Sequence, residues 1–350
     1  MNPELVFRAD AGSGIGSGHV MRCIALAQAC IADGMKAQFF SRTGSDAIAN
    51  RVTQAGCTLS VPPEFESAAE DALATLELAR APGRRAAWVI VDGYQFDAKY
   101  LDALAGGNVR LAVVDDLAAL ERYPTDIILN QNIDAEQHSY RAKPGCRLLL
   151  GPAHALLRPE FSAWDAWRRP QAGIASRVLV TLGGSDASEA GARVLTALAA
   201  FESRLEIRLL RGATDAQAAS LDVAAQVARS AGHDVSLRLY SADMPSELAW
   251  ADVAIAGGGT TVWELAYMQT PALLLVLAGN QRANVEGLAR AGCAVNLGEW
   301  SRIRIPQMTE AIATVIRDRQ QRDAMAQKGR RLVDGRGSQR TARAIRDLSE

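Results

Sequence analysis

Short β-rich runs alternate with helical stretches along this chain, and almost every β-run ends on glycine or a polar side chain. Nothing else in the sequence constrains the fold as tightly, because strand–helix alternation calls for a parallel sheet with helices on both faces. The first run, residues 5–8, leads into a glycine-rich turn and a helix over residues 20–33. Gly34 stops that helix, as glycine past a helix end commonly does. Residues 36–40 form the next strand, and residues 47–55 and 68–80 read as helices. Strands over 87–91, 110–114 and 127–129 end on Asp92-Gly93, Asp115-Asp116 and Asn130-Gln131-Asn132. Open α/β sheets bind ligands just beyond such carboxyl ends.

Residues 151–173 read as a connector, with Pro152, Pro159 and Pro170 around Trp164 and Trp167. The pattern then restarts. Strands are predicted over 177–181, 205–210, 236–239, 253–255 and 272–275. One helix follows Gly183 and runs to about residue 200, another runs from the glycines at 257 through residue 268, and the tail from residue 305 is helical and highly charged. No short repeat of 20–50 residues is present. The fold class is therefore α/β, with two Rossmann-like lobes facing each other across a cleft. The expected boundaries are 1–160 for the first lobe, 161–325 for the second, and 326–350 for C-terminal helices packing back toward the first.

With 350 residues the chain is long enough for two ordinary domains. A formal net charge of −1 is poor footing for nonspecific nucleic-acid binding, which needs a basic surface. Five scattered cysteines, with no CxxC pair, suit reduced thiols and argue against a zinc ribbon. The chain starts almost directly with a strand and lacks a signal-peptide core. The longest apolar run, residues 271–278, is too short to span a bilayer. These features predict a soluble, cytoplasmic protein without nucleic-acid or membrane partners, and a monomer is expected.

Three glycine-rich turns carry the candidate chemistry. The first is Gly12-Ser13-Gly14-Ile15-Gly16-Ser17-Gly18-His19. Glycine lets backbone approach a ligand closely, and the following helix points free N–H groups and a positive dipole end at it. It is not a dinucleotide fingerprint, because His19 stands where Gly or Ala is expected and no acidic residue ends the second strand. It is not a P-loop, because no Lys follows. A histidine at such a helix start is disfavoured as imidazolium, and a neutral imidazole is what a general base requires. The second turn is Gly183-Gly184-Ser185-Asp186. The third is Gly257-Gly258-Gly259-Thr260-Thr261, with Glu264 one helical turn further in, where a carboxylate could accept two ribose hydroxyls. Ala278-Gly279-Asn280-Gln281-Arg282 adds amides after a buried strand. No HExxH, loop DxD or His/Cys cluster is present, so neither a metal nor another cofactor is expected.

The residues also resemble a known family. Arg8-x-Asp10, Gly14-x-Gly16-x-Gly18-His19-x-x-Arg22, Val91-Asp92-Gly93-Tyr94, Asp115-Asp116 and Leu129-Asn130-Gln131-Asn132 look like the start of a UDP-2,4-diacetamido-2,4,6-trideoxy-β-L-altropyranose hydrolase of pseudaminic acid biosynthesis. The likeness continues through Gly151-x-x-x-Ala155-Leu156-Leu157-Arg158-Pro159-Glu160-Phe161, Gly183-Gly184-Ser185-Asp186, the stretch 257–264 and Asn280-Gln281-x-x-Asn284, and so spans nearly the whole chain. The second half alone also resembles MurG-type glycosyltransferases.

The resemblance implies a GT-B fold and an inverting, metal-independent hydrolysis of the anomeric C–O bond of a UDP-sugar. His19 would orient or deprotonate the water, and Glu264 would bind the ribose. Gly183, Gly184, Ser185, Gly258, Gly259, Thr260, Thr261 and Glu264 are the expected UDP contacts. Gly16, Gly18, Arg22, Tyr94, Asn280 and Gln281 are the expected sugar and phosphate contacts. The first alternative is a GT-B glycosyltransferase, which passes the sugar to an acceptor instead of water. A second is a catalytically idle nucleotide-sugar-binding protein. Spore-coat polysaccharide proteins share much of the pattern, so the sugar itself is left open.

Overall fold

The computed structural model describes residues 3–12, 15–80, 88–170, 172–183, 188–211, 218–239 and 243–350. The chain divides into two compact units, Met1–Pro159 with Gly335–Glu350, and Glu160–Asp334.

The N-terminal lobe contains strands β1 (Glu4–Ala9), β2 (Lys36–Phe40), β3 (Thr58–Ser60), β4 (Trp88–Asp92), β5 (Arg110–Val114), β6 (Ile127–Asn130) and β7 (Arg147–Leu150). They form one parallel sheet in the order β3-β2-β1-β4-β5-β6-β7. Side chains alternate between two buried faces. Leu5, Phe7, Trp88 and Ile90 pack on one side, Val6, Val89 and Val91 on the other. A strand buried on both faces reads as a continuous apolar run, and that is how β4 is written. Helix α1 (Gly18–Ala32) covers the first face, while α3 (Ala68–Ala79) and α4 (Ala98–Ala105) cover the second. The short helix α2 (Asp46–Gln54) begins at Ser45, whose hydroxyl caps Ile48 N–H at 3.4 Å.

The C-terminal lobe repeats the plan. Strands β8 (Arg177–Thr181), β9 (Glu206–Arg211), β10 (Asp234–Leu239), β11 (Val253–Gly257), β12 (Ala272–Val276) and β13 (Val295–Glu299) run parallel in the order β10-β9-β8-β11-β12-β13. Val178, Val180, Ile255 and Leu273 pack beneath α5 (Ser188–Leu198), α6 (Ala218–Ser230) and α10 (Ile305–Arg317). The remaining helices of this lobe are α7 (Met244–Trp250), α8 (Thr261–Tyr267), α9 (Arg282–Arg290) and α11 (Arg319–Leu332). Both strand orders are those of a Rossmann-type sheet, with a seventh strand added in the first. The fold is thus α/β with two Rossmann-like lobes.

The lobe boundaries differ from the expected ones at the C-terminus. Helix α11 lies in the second unit, not with the first. Its Gly329 sits so close to α8 that an added Cβ would lie 3.1 Å from the Ala266 Cα. Only the last helix, α12 (Gly337–Ser349), belongs to the N-terminal unit. Ser349 Oγ accepts from Trp88 Nε1 at 2.8 Å, and Ser338 Oγ donates to Leu157 O at 3.0 Å. A Cβ on Gly337 would fall 2.2 Å from Ala155 O. The Ala155-Leu156-Leu157 run is therefore the buried seat of the final helix.

Within the Pro- and Trp-rich connector, Arg169 is tied to the second unit. Arg169 donates to Leu248 O at 2.5 Å, Met268 O at 3.2 Å and Thr270 Oγ1 at 2.7 Å, satisfying carbonyls at the ends of α7 and α8. Among the described residues, no helix is long and apolar enough to cross a membrane.

Candidate active site

Each sheet reverses its strand order once, between β1 and β4 in the first lobe and between β8 and β11 in the second. The crevice outside the carboxyl ends at such a reversal is where open α/β sheets take ligands. His19 and Asp92 in the first lobe, and Gly183 and Gly257 in the second, stand at or beyond the ends of the strands that flank these reversals.

In the N-terminal lobe, His19 is the second residue of α1. Ala9, the last residue of β1, is in register with Asp92, the last residue of β4, so the turn leaving β1 runs beside the Asp92 side chain. His19 Nδ1 and Asp92 Oδ1 are 2.6 Å apart. Asp92 is fully buried and His19 is 7% exposed. Burial alone would raise the Asp92 carboxyl, but the Arg22 guanidinium and His19 hold it well below the usual carboxylate range. An ionised carboxylate only accepts, so the proton between the two belongs to Nδ1. Arg22 Nη2 lies 3.3 Å from the same nitrogen. It cannot be the donor there, since a bare Nδ1 lone pair would then face a carboxylate. The neutral ring consequently keeps its free lone pair on Nε2, which is the atom a general base uses.

Asp92 is saturated with donors. Arg22 Nε reaches Oδ2 and Nη2 reaches Oδ1, each at 2.6 Å, and the Cys23 thiol adds a weak bond to Oδ2 at 3.5 Å. Burial pushes the Cys23 thiol up, so it remains a thiol. The remaining Arg22 nitrogen, Nη1, donates to both oxygens of Asp116 at 2.9 and 2.8 Å. Arg22 was expected to touch sugar or phosphate. Its buried guanidinium donates to the two carboxylates Asp92 and Asp116. Tyr94, another expected contact, is 49% exposed and does present a surface. Its hydroxyl donates to Asp116 Oδ2 at 3.0 Å, and its ring meets His19 edge-on, with centroids 4.9 Å apart. Asp115 looks inward to its own loop, accepting from Leu117 N–H at 2.8 Å and from the Tyr123 hydroxyl.

The glycine turn before His19 is closed by backbone bonds. Gly16, with φ +77°, donates to Gly12 O at 2.8 Å, and Gly12 donates back to Gly16 O at 3.3 Å. Ser13 and Gly14 lie outside the described residues. Gly18 opens α1 directly. The neighbouring loop presses on this turn, since a Cβ on Gly44 would meet Ala11 O at 2.9 Å. The Arg8-x-Asp10 pair braces it from below. Buried Arg8 holds Asp10 at 2.6 Å and Asp71 at 2.6 Å, while Asp10 accepts the Arg42 N–H at 2.8 Å.

In the C-terminal lobe, Gly183 follows β8 with φ +98° and open space around its Cβ position, so it is needed for conformation. Gly184, Ser185 and Asp186 lie outside the described residues. Gly257 and Gly258 are needed for packing. A Cβ on Gly257 would fall 2.7 Å from Leu277 Cδ1, and one on Gly258 would fall 2.4 Å from Val285 Cγ2. The Gly258 N–H, expected to face UDP, is already donated to Gln281 Oε1 at 3.0 Å. Gln281 Oε1 also accepts Leu277 N–H at 3.1 Å, which makes this amide the brace of the turn. Gly259, Thr260 and Thr261 lead into α8, and the Thr260 hydroxyl makes no capping bond. Glu264 lies in the first turn of α8, half-buried, and Asn280 is exposed. Among the described residues, no three His, Cys, Asp or Glu side chains converge as a metal-binding group.

Residues 177–339 match the glycosyltransferase family 28 C-terminal domain. The C-terminal lobe is glycosyltransferase-like. The chain is 25% identical over 206 residues to the spore coat polysaccharide biosynthesis protein SpsG of Bacillus subtilis, covering 58% of this chain and 59% of that one. It is 32% identical over 169 residues to a UDP-N-acetylglucosamine–N-acetylmuramyl-(pentapeptide) pyrophosphoryl-undecaprenol N-acetylglucosamine transferase of Desulfotalea psychrophila, covering 44% and 43%. The chain thus spans about half the length of the curated relatives it matches. Among solved structures it resembles Acinetobacter baumannii MurG, with a TM-score of 0.69, 16% identity and 99% and 100% coverage. It also resembles the UDP-GlcNAc 2-epimerase of Neisseria meningitidis bound to UDP-GlcNAc, with a TM-score of 0.64, 10% identity and 99% and 100% coverage. At such identities the structural likeness establishes the GT-B fold. Hydrolysis, expected from the motifs, finds less backing here than glycosyl transfer does.

Proposed function

We propose that this chain is a UDP-sugar enzyme that breaks the anomeric C–O bond of its substrate, with His19 as the base. The observation that carries this reading is the Asp92 carboxylate on His19 Nδ1 at 2.6 Å, which leaves Nε2 free at the switch point of the first sheet. As the attacking hydroxyl oxygen bonds to the anomeric carbon, Nε2 takes its proton. The bond from that carbon to the diphosphate oxygen breaks, and its electron pair leaves with UDP. Such a displacement inverts the anomeric centre. The imidazolium formed lies against Asp92, Arg22 and Asp116, a group with two carboxylates and one guanidinium, whose net negative charge favours it.

The nucleotide is assigned to the C-terminal lobe. Gly259, Thr260 and Thr261 at the start of α8 offer backbone N–H groups and hydroxyls to the diphosphate, with Glu264 for the ribose. Gln281 and Gly258 shape this turn, and Gln281 Nε2 remains a donor beside it. The family 28 match over this lobe supports that assignment.

The attacking hydroxyl is assigned to a saccharide acceptor, because the matched family and the Desulfotalea relative are glycosyltransferases. Water is the second reading. The histidine motif ending at His19 and the run 155–161 favour it, being the parts that most resemble the diacetamido-trideoxy-sugar hydrolases. One experiment separates the two. The protein is incubated with a panel of UDP-sugars, with and without saccharide acceptors, and UDP release is followed. Release only with an acceptor supports transfer, and rapid release without one supports hydrolysis. No release from any UDP-sugar under either condition overturns the proposal.

A further inference from the structure

The contacts around His19 close into a ring. His19 Nδ1 meets Asp92, Asp92 is gripped by Arg22, Arg22 donates to Asp116, Tyr94 donates to Asp116, and the Tyr94 ring returns edge-on to His19. Every link spans separate elements of the first lobe. His19 and Arg22 come from α1, Asp92 and Tyr94 from the end of β4 and the loop after it, and Asp116 from the loop after β5. Asp116 is the one member that holds two others which both touch the His19 side of the ring.

We propose that Asp116 is a positioning residue for His19, acting through Tyr94 and Arg22 without touching the reacting atoms. The inference rests on the assignment of His19 as the base. Two physical arguments carry it. The Tyr94 ring meets the His19 imidazole edge-on, with centroids 4.9 Å apart at 83°, and so limits how the imidazole turns about its Nδ1 bond. Tyr94 is half-exposed, and its hydroxyl donates to Asp116 Oδ2 at 3.0 Å, which ties the ring to this loop. Second, Arg22 aligns Asp92 through a planar two-bond fork, and the far side of the same rigid guanidinium carries its third nitrogen. Asp116 holds that far side with both oxygens, at 2.9 and 2.8 Å. Asp116 therefore bears on the His19 ring through Tyr94 and on the Asp92 carboxylate through Arg22.

The test uses the full chain with 15N-labelled histidine. Only four histidines are present, and His19→Gln identifies the His19 signal by its disappearance. The wild-type ring should show a single Nδ1–H tautomer. Asp116→Asn and the milder Tyr94→Phe should each keep the Nδ1–H tautomer but broaden or shift the His19 signal as the ring loosens. In turnover of whichever UDP-sugar the wild type uses best, both should lower kcat about 10–100-fold, the range for loss of an orienting partner, with KM little changed. The double variant should be no worse than Asp116→Asn alone, because the two substitutions cut one circuit. An unchanged His19 spectrum, losses that multiply in the double variant, or a loss carried by KM would each overturn the proposal. The spectrum needs no substrate. If no UDP-sugar is turned over, the functional reading fails while the spectrum still decides the role of Asp116.

Discussion

Oδ1 of Asp92 accepts the Nδ1 proton of His19 at 2.6 Å, across 73 residues of sequence. This bond converts a histidine at a helix start into a base of defined tautomer. Removing the carboxylate as Asp92→Ala leaves Arg22 facing a buried gap and should cost about 3–5 kcal/mol of stability, the usual result of breaking a buried pair. Asp92→Asn keeps the shape, but its amide can donate to Nδ1 and turn the lone pair the wrong way. Its folded protein should lose about 10²–10⁴-fold in turnover. Melting curves and UDP-release rates on the two variants check both statements, and an Asn variant with full activity would refute the tautomer argument.

Asp92 also predicts an acid limit. Its folded carboxyl titrates below its unfolded value, so the native state binds fewer protons than the unfolded chain. The stabilisation is complete above the unfolded carboxyl value of about 3.9 and is lost as pH falls below it. Denaturant titrations of the wild type from neutral pH downward should show this loss. Asp92→Asn should be less stable at neutral pH and decline less steeply on the acid side. Parallel curves for the two proteins would show that Asp92 is not the group responsible.

The packing of Gly258 gives a prediction for the other lobe. A methyl group there meets Val285 Cγ2 at 2.4 Å and Gln281 O at 3.0 Å. Gly258→Ala should destabilise the chain by about 1–3 kcal/mol through overpacking. It should also weaken UDP binding, because Gln281 must move. Gly183→Ala strains the backbone without a clash, so it separates conformation from crowding. Calorimetry with UDP alone reads both variants, and a Gly258→Ala protein with wild-type stability would contradict the packing account.

Much of the fold was legible in the sequence, because fully buried strands are written as apolar runs between turn residues. Lys36–Phe40, Arg110–Val114 and Arg177–Thr181 have the predicted bounds. Thr58–Ser60, Arg147–Leu150 and Val295–Glu299 went unpredicted. All three lie at sheet edges, and each is either short or interrupted by polar residues, so periodicity carries little signal there. In the site, the placement of His19 at a helix start could be read from the glycines before it. Its partner could not. Asp92 was visible as a polar strand end, but only the β1–β4 adjacency makes it a neighbour of α1, and strand order is not written locally. Arg22 looked like a ligand contact for the same reason, since the two carboxylates that claim it come from other strands.

Glu264 bears the ribose assignment. Replacing it with Ala should weaken UDP binding by about 1–3 kcal/mol, the range for hydrogen bonds to a charged group. The position is half-buried on α8, so the fold should tolerate the change. Unchanged UDP affinity by calorimetry would remove Glu264 from the nucleotide site.

The account turns on His19, and a paired measurement on His19→Ala tests it most directly. Single-turnover UDP release and UDP affinity are measured on one purified, folded preparation, with the melting temperature as control. The base assignment predicts a rate about 10²–10⁴-fold lower with UDP affinity unchanged. A well-folded His19→Ala protein that releases UDP from its sugar substrate at the wild-type rate would contradict it.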